Sequence, residues 1–262
     1  MQTILDELAA FAAERTANAR RKRPLQSIRA DAELMQKGSF AFEHALKKDD
    51  IAFICECKKA SPSKGLIAPD FPYLQIAKDY EAAGADCISV LTEPKWFLGC
   101  DRYLQQIASA VQIPCLRKDF TVDPYMIYEA KLLGASAVLL ICAILDRAQL
   151  LEFREIADSL GLSALVEAHD EREIETAAET GARIIGVNNR NLKDFSVDAG
   201  HAARLRQYAP AETLFVVESG MQTPADIQNA RDAQANAVLI GETLMRAADK
   251  RQMIQYLKGE TQ

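Results

Sequence analysis

Residues 53–66 read FICECKKASPSKGL and combine an apolar strand pattern, two opposite charges and a loop of small residues. Side chains alternate along a strand, so Ile54, Glu56 and Lys58 share one face of this segment. Glu and Lys are rarely buried unless they are paired. Taken alone, the stretch favours an edge strand with a solvated face, followed by an ordinary loop. The rest of the chain reverses that interpretation and predicts the first strand of the core and one wall of an active site.

The composition predicts one domain with a substantial core. The chain has 262 residues, of which 49% are hydrophobic, a length that a barrel of alternating strands and helices often reaches. Its net charge of −6 argues against a general nucleic-acid binder, although a small anionic ligand needs only local positive potential. The N-terminus lacks a signal-peptide pattern, and no apolar run reaches the roughly 18 residues of a membrane span. We therefore expect neither a nucleic-acid partner nor a membrane partner.

The cysteines and histidines predict neither a metal site nor disulfides. Six cysteines occur at positions 55, 57, 87, 100, 115 and 142 without paired C-x-x-C spacing, and the three histidines at 44, 169 and 201 lie far apart in sequence. Several of these cysteines fall in apolar runs, where a free thiol behaves as a small hydrophobe. This usage is typical of a reducing compartment and predicts a cytoplasmic protein.

A regular alternation of short apolar runs and helical segments follows the first strand. The other predicted strands fall at 87–91, 113–117, 137–141, 164–167, 184–187, 214–217 and 237–240. The helices fall near 73–83, 102–110, 124–133, 147–160, 171–180, 199–208, 224–231 and 244–256. Eight strand and helix pairs predict an α/β fold, a closed (β/α)8 TIM barrel. An open doubly wound sheet is the alternative, but no G-x-G-x-x-G motif follows the first strand.

Ahead of the barrel, residues 1–48 are predicted to form a helical extension of a single domain that spans residues 1–262. Apolar spacing indicates an amphipathic helix over residues 3–19, and a second short helix is expected near 25–35. The basic run RRKRP at 20–24 is interpreted as a solvated linker between them. The extension is long enough to cover an end of the barrel.

Polar residues occur where the predicted strands end, which is where barrels of this class place their active sites. If Leu116 faces inward, alternation directs Lys118 and Phe120 the same way, and Glu167 and Glu218 follow Leu165 and Val216 in the same manner. Asp119 would then point away and serve as a partner for neighbouring groups. The strand-end set that would meet at one mouth is Glu56, Lys58, Lys118, Glu167, Asn188, Arg190 and Glu218. Lysines and glutamates gathered in this way are suited to acid–base catalysis.

The last two strands end in small residues that suit a phosphate group. Ser219-Gly220 follows one strand, and Gly241-Glu242-Thr243 follows the other at the start of a helical segment. Glycines let backbone N–H groups approach phosphate oxygens closely, and the loops after strands seven and eight are the usual phosphate cradle of this architecture. Each glycine alone fits a simple turn, but their joint position favours a phosphorylated substrate.

Eight ordered motifs give the chain a resemblance to a known family. They are ECKKASPSKGL at 56–66, LTEPKWFLG at 91–99, LRKDF at 116–120, LLICAIL at 139–145, LVEAH at 165–169, GVNNRNL at 186–192, VVESGM at 216–221 and VLIGETLM at 238–245. On these motifs the chain closely resembles the indole-3-glycerol phosphate synthases of tryptophan biosynthesis. The resemblance implies ring closure of 1-(2-carboxyphenylamino)-1-deoxyribulose 5-phosphate, with loss of carbon dioxide and water and without a cofactor.

The resemblance also implies roles for individual residues. Lys118 would be the general acid that activates the substrate carbonyl, and Glu167 its partner in proton transfer. Lys58 would hold the anthranilate carboxylate, while Glu56, Asn188 and Glu218 orient the lysines and the substrate hydroxyls. Arg190 would contact the substrate or brace the carboxylates. The phosphate would lie near Ser61, Ser219, Gly220, Gly241 and the backbone of Glu242, and the aromatic ring between Phe97, Phe120, Leu139 and Leu192.

Two alternatives stay open at the level of sequence. Another phosphosugar barrel enzyme, such as a phosphoribosylanthranilate isomerase, would not require Lys58, Lys118 and Glu167 together with an N-terminal extension. A noncatalytic phosphosugar-binding barrel would keep the phosphate glycines but lose an acid or base. A monomer is expected, because no separate apolar stripe asks for a partner.

Overall fold

The computed structural model describes residues 3–191 and 195–260, so Leu192, one of the predicted ring contacts, lies outside the described residues. Within this part of the chain, eight parallel strands close into a barrel, and a short antiparallel hairpin lies outside it. The strands are β1 (Ala52–Cys57), the hairpin strands β2 (Ala60–Ser61) and β3 (Gly65–Leu66), β4 (Cys87–Leu91), β5 (Cys115–Lys118), β6 (Ala137–Ile141), β7 (Ser163–Ala168), β8 (Ile184–Asn188), β9 (Leu214–Glu218) and β10 (Ala237–Ile240).

Helices alternate with the barrel strands, as predicted. They are α1 (Ile4–Lys22), α2 (Leu25–Leu34), α3 (Ala41–Leu46), α4 (Tyr73–Ala82), α5 (Asp101–Ala110), α6 (Pro124–Leu132), α7 (Arg147–Leu160), α8 (Glu171–Glu179), α9 (His201–Leu205), α10 (Pro224–Asp232), α11 (Glu242–Arg246) and α12 (Lys250–Lys258). Gly84, Gly134 and Gly181 follow three of them with φ values of 79°, 85° and 76°, the left-handed conformation in which glycines terminate helices. The barrel is confirmed, and β1 pairs with both β4 and β10, so the edge-strand interpretation of residues 53–58 is wrong.

Alternation along the strands divides the core into two layers. Ile54, Leu116, Leu165 and Val216 pack inside the barrel, whereas the neighbours of Ile54 on β1, Phe53 and Cys55, pack outward under the helices. This is the parity that the sequence predicts. The polar residues that follow the inward set on each strand therefore point into the barrel mouth.

The N-terminal extension covers both ends of the barrel. Leu8 and Ala12 of α1 pack on the interior cluster, and α1 is tied to the carboxyl end of β5 by an ion pair of 2.7 Å between Arg15 and Asp119. Helix α3, for which the sequence analysis predicted no helix, lies at the opposite end, because the backbone N–H of Glu43 donates to Ser163 Oγ at the start of β7. One short extension thus closes one end of the barrel and narrows the other.

The basic run at 20–24 is not a solvated linker. Helix α1 continues to Lys22, and Arg20 pairs with Asp123 at 2.7 Å, while Arg23 pairs with Asp31. Basic side chains are favourable in the last turn of a helix, where the carbonyl groups concentrate negative potential. The helix therefore includes residues 20–22 of the run that the charge pattern assigned to a linker, and only Arg23 and Pro24 lie between α1 and α2.

Two other boundaries differ from the predictions for physical reasons. The third barrel strand begins at Cys115 rather than at residue 113, because Pro114 has no N–H to give to the ladder. The predicted helix near 244–256 is two helices, α11 and α12, because the side chain of Asp249 accepts a hydrogen bond from Gln252 N and caps a new helix.

Candidate active site

The predicted site residues line a single cavity of about 540 Å³ at the carboxyl ends of the strands. Only Leu192, which lies outside the described residues, cannot be placed there. The lining residues that the sequence predicted are Glu56, Lys58, Ser61, Phe97, Lys118, Phe120, Leu139, Glu167, Asn188, Arg190, Glu218, Ser219, Gly220, Gly241 and Glu242. Residues from nearly every barrel strand and from the hairpin therefore meet, as the strand-end argument required.

Lys118 is held between two buried carboxylates. Its Nζ lies 3.3 Å from Oε2 of Glu167 and 3.4 Å from Oε2 of Glu218, and both carboxylates are almost fully buried. Burial opposes a charged amine, but the charges of Glu167, Glu218 and Glu56 outweigh it and raise the pKa of Lys118. The side chain of Lys118 is therefore held in its protonated, ammonium form.

The two glutamates beside Lys118 differ in their proton affinity. Burial raises the pKa of both, but Lys118 and His169 hold the pKa of Glu167 below its usual value. For Glu218, burial together with the negative charges of Glu167 and Glu56 outweighs the attraction of Lys118 and raises the pKa to about 8. One carboxylate is therefore ionised near neutral pH while its neighbour tends to keep a proton, a division that suits separate acid and base roles.

Lys58 forms the second charged pair of the cavity. Its Nζ lies 2.6 Å from Oε1 of Glu56, the residue two positions earlier on the same inward face. The hydroxyl of Ser89 on β4 donates to the other oxygen of Glu56 at 3.4 Å. Gly241 leaves the space for this pair, because a Cβ at that position would lie 2.3 Å from Oε1 of Glu56 and 2.7 Å from Nζ of Lys58.

Asn188 and the apolar residues complete the inner part of the cavity. The Asn188 amide donates to Oε1 of Glu167 at 3.4 Å, which ties β8 to β7 at the site. The rings of Phe97 and Phe120 lie 6.1 Å apart between centroids and are tilted by 40°, and Leu139 lines the same cavity. These side chains give the inner part of the cavity an apolar wall that suits the face of a flat aromatic ring.

A buried carboxylate that the sequence analysis did not single out fixes the loop that carries Phe97. Glu93 is fully buried and accepts hydrogen bonds from the backbone N–H groups of Lys95, Trp96 and Phe97 at 2.8–2.9 Å. Its position in LTEPKWFLG, directly after a strand and before a turn, was the available signal. Glu93 thus acts as an internal anchor that presents Phe97 to the cavity.

The outer end of the cavity gathers positive charge around Glu242. The Glu242 carboxylate lies 3.0 Å from Arg246, 3.7 Å from Lys64 and 3.8 Å from Arg190. Ser219 and Gly220, with φ values of 67° and 84°, turn the chain away after β9 in the same region. Arg246 was missed by the sequence analysis, although its position four residues after Glu242 on a helix was a usable signal.

Asp119 has the supporting role that strand parity predicts. Its carboxylate binds Arg15 at 2.7 Å and the Thr92 hydroxyl at 2.6 Å, and it lies 3.9 Å from Arg117. These charges hold the pKa of Asp119 below its usual value in spite of its burial. Leu5 and Leu8 of α1, which the sequence analysis did not place in the site, also line the cavity above it.

The described residues contain no group of three or more His, Cys, Asp and Glu side chains arranged to hold a metal ion. Among the helices of residues 3–191 and 195–260, none is long and apolar enough to cross a membrane.

Comparison with known proteins identifies the family. The family model for indole-3-glycerol phosphate synthase matches residues 5–257. The chain belongs to the indole-3-glycerol phosphate synthase family. An indole-3-glycerol phosphate synthase from Ruminiclostridium cellulolyticum is 56% identical over 98% of this chain and 99% of its own length. One from Endomicrobium trichonymphae is 52% identical over 97% and 99% of the two chains.

Membership of this family makes the enzyme a lyase of tryptophan biosynthesis, acting by a decarboxylating ring closure. It also rules out the isomerase alternative. Solved structures of more distant barrels show the fold alone. A 3-hexulose-6-phosphate synthase superposes with a TM-score of 0.66 at 14% identity, covering 81% of this chain and 100% of that one. A thiamine phosphate pyrophosphorylase from Pyrococcus furiosus superposes with a TM-score of 0.60 at 12% identity, covering 83% and 96%.

Proposed function

We propose that the cavity carries out the synthase reaction with Lys118 as general acid and Glu167 as its partner in proton transfer. The observation that carries this assignment is the 3.3 Å contact between a protonated lysine and an ionised glutamate, both buried in the cavity. Lys118 would give its proton to the substrate carbonyl oxygen as the aromatic ring carbon attacks the carbonyl carbon. Glu167 would then take part in the proton transfers that accompany loss of water.

Lys58 is proposed to bind the carboxylate of the anthranilate ring until carbon dioxide leaves. The pair that it forms with Glu56 at 2.6 Å fixes the ammonium group in the cavity that Phe97 and Phe120 also line. Those two rings, together with Leu139 and Leu192, would hold the aromatic ring and exclude water. Asn188 and Glu218 are proposed to orient the substrate hydroxyls and the ammonium group of Lys118.

The substrate phosphate is proposed to lie at the outer end of the cavity. Ser61, Ser219, Gly220, Gly241 and the backbone N–H of Glu242 are the proposed contacts. Support comes from the charge of this region, where Lys64, Arg190 and Arg246 lie within 4 Å of the Glu242 carboxylate. Arg190 contacts this carboxylate rather than Lys118 and its partners, so we propose that it serves the phosphate end.

The assay is the appearance of indole fluorescence when the enzyme is incubated with the carboxyphenylamino-deoxyribulose phosphate. Lys118→Ala and Glu167→Ala are expected to lose activity by at least about a hundredfold, the scale of a lost acid or base. Lys37→Ala, which removes an exposed lysine far from the cavity, should keep full activity. A folded parent that binds the substrate without turning it over would favour the noncatalytic phosphosugar-binding barrel instead.

The protein is further proposed to be a cytoplasmic monomer that binds neither nucleic acid nor membranes. The net charge of −6 supports the lack of nucleic-acid binding, and the absence of paired C-x-x-C spacing among the cysteines supports a reducing compartment. The exposed large apolar side chains of the described residues are distributed over several elements, with Leu34 of α2 the most exposed. Sedimentation equilibrium should give a mass near 28.9 kDa, and a mass near twice that value would overturn the monomer.

A further inference from the structure

His169 follows β7 directly, and its ring lies between two carboxylates. Nε2 lies 3.3 Å from Oε1 of Glu167, and Nδ1 lies 3.4 Å from Oε2 of Glu173 on α8. The side chain is only 20% exposed. The ring therefore connects a residue of the candidate active site with a carboxylate outside it.

The backbone of His169 is held by hydrogen bonds from two directions. The N–H of His169 donates to Oε2 of Glu173 at 2.7 Å, and Nε2 of His201 on α9 donates to the carbonyl oxygen of His169 at 2.9 Å. Neither ring nitrogen of His169 makes an aligned hydrogen bond within the described part of the chain. Its contacts with the two carboxylates are therefore mainly electrostatic and depend on the charge of the ring.

On the side of Glu173, the ring borders a second cavity of about 580 Å³ that Asn188 shares with the first. The ionisable groups that face the ring directly or across this cavity are Glu167 of β7, Glu173 and Asp170 at α8, Glu218 of β9, His201 of α9, Asp6 of α1 and Asp198 before α9. Lys118 of β5 lies beyond Glu167.

We propose that His169 is a positioning residue for the synthase reaction, which as an imidazolium keeps the Glu167 carboxylate ionised and directed toward Lys118, with Glu173 as its counter-charge. This proposal rests on the role proposed above for Glu167. The geometry supports it, because Oε1 of Glu167 faces His169 and Asn188 while Oε2 faces Lys118. Each oxygen of the carboxylate therefore has a defined partner before substrate binds.

The charges around the ring favour the imidazolium. Burial opposes it, but the carboxylates of Glu173, Glu167 and Glu218 raise the pKa of His169 above its ordinary value of 6.5. In turn, His169 is one of the positive neighbours that lower the pKa of Glu167. Loss of the positive ring should therefore raise the pKa of Glu167, so that a higher pH is needed to ionise it.

The kinetic test compares His169→Gln and Glu173→Gln with Glu175→Gln, which removes an exposed charge from the same helix. We expect His169→Gln to lower kcat about tenfold with KM changed less than twofold, because the ring does not line the substrate cavity. The acid limb of the kcat profile should move to higher pH by about half a unit or more, the scale of one lost charged neighbour. Glu173→Gln should move it in the same direction by less, and Glu175→Gln should not move it.

A direct test measures the pKa of His169 by nitrogen-detected titration of the imidazole in the unaltered enzyme. The chain has only three histidines, so the His169 signal is assigned by its loss in His169→Gln. The pKa should lie above 6.5 and fall in Glu173→Gln. This measurement keeps the proposal testable if His169→Gln folds poorly.

Each outcome separates this inference from the proposed function. An unmoved acid limb in folded His169→Gln, or a His169 pKa at or below 6.5 in the unaltered enzyme, would overturn the positioning role. If Glu167→Ala is inactive in the same experiment, either of these two results overturns the role of His169 but leaves the proposed role of Glu167 in place. Full activity in Glu167→Ala would instead overturn the proposed function and this inference with it.

Discussion

At the scale of single residues, the site depends on space left by glycine. Gly186 on β8 lies against Glu218, and a Cβ at this position would lie 2.3 Å from Oε1 of Glu218 and 3.1 Å from Leu165. Its φ is not in the left-handed region, so the backbone accepts alanine. The glycine is therefore required for its missing side chain and not for its conformational freedom.

Gly186→Ala should accordingly lower activity by displacing the Glu218 carboxylate from Lys118. A misplacement of about 1 Å in an active site costs on the order of a hundredfold in rate. Steady-state kinetics should show a fall in kcat of at least about tenfold. Gly200→Ala is the matched control, since its added methyl meets chiefly the flexible end of Arg204. Unchanged kcat in Gly186→Ala would show that the position of Glu218 does not matter for catalysis.

Glu218 also links the site to stability. Its pKa is raised to about 8 in the folded enzyme, against an ordinary value of 4.5, so the folded state binds an extra proton between these values. The contribution of Glu218 to the free energy of unfolding is therefore fully present below pH 4.5. It is lost as the pH rises through about 8. A group proposed to act in catalysis thus lowers the stability of the resting enzyme at alkaline pH.

Glu218→Gln should therefore be more stable than the parent at pH 9, although it loses activity. We expect the free energy of unfolding of the variant, relative to the parent, to rise by on the order of 1 kcal/mol or more from pH 5 to pH 9. Urea unfolding at the two pH values measures this difference. The same difference at both values would contradict a raised pKa for Glu218.

At the scale of secondary-structure elements, α1 is part of the candidate site. Its residues Leu5 and Leu8 line the cavity, and Arg15 binds the buried Asp119, which directly follows Lys118. Asp119 keeps Thr92 and Arg117 as partners without Arg15. The Arg15 contact therefore mainly holds the helix in place over the mouth.

Arg15→Ala should loosen α1 without unfolding the barrel. Hydrogen exchange across residues 4–22 should become faster, and KM should rise several-fold with a smaller change in kcat, because the cavity loses part of its apolar wall. Arg21→Ala is the control, since Arg21 lies on the same helix and, among the described residues, donates only to Asn18 of that helix. Equal exchange in both variants would show that Arg15 does not secure the helix.

At the scale of the whole molecule, the closed barrel shields the cysteines. Cys55, Cys57, Cys87 and Cys115 are buried, and burial raises the pKa of their thiols, that of Cys115 to about 12. Cys142 is half-buried, and burial raises its pKa to about 12 as well. A thiol reacts as the thiolate, so these five should be slow to react.

A thiol reagent at pH 8 should therefore label the native protein at one site quickly, at Cys100, which is partly exposed. All six thiols should react after unfolding in guanidinium. Cys100→Ser should remove the fast phase and leave the slow ones. Rapid reaction of all six in the native protein would mean that the barrel opens readily, contrary to a closed sheet without edges.

Periodicity and alternation in the sequence determined the barrel and most of the site. The eight apolar runs gave the strands, and the parity of Leu116 with Lys118, and of Leu165 with Glu167, directed the charged side chains to one mouth. These features depend on local geometry, which is encoded residue by residue. The assignment of residues 1–262 to one domain stays a prediction, because seven residues lie outside the described ranges.

Only the tertiary structure decided which distant charges meet. Glu167 and Glu218 read alike in the sequence, yet their pKa values shift in opposite directions because His169 lies beside one of them and two negative charges act on the other. The approach of Lys64 and Arg190 to Glu242 likewise joins separate segments. Electrostatic interactions depend on distances through space and on burial, and neither quantity is contained in the local pattern of the chain.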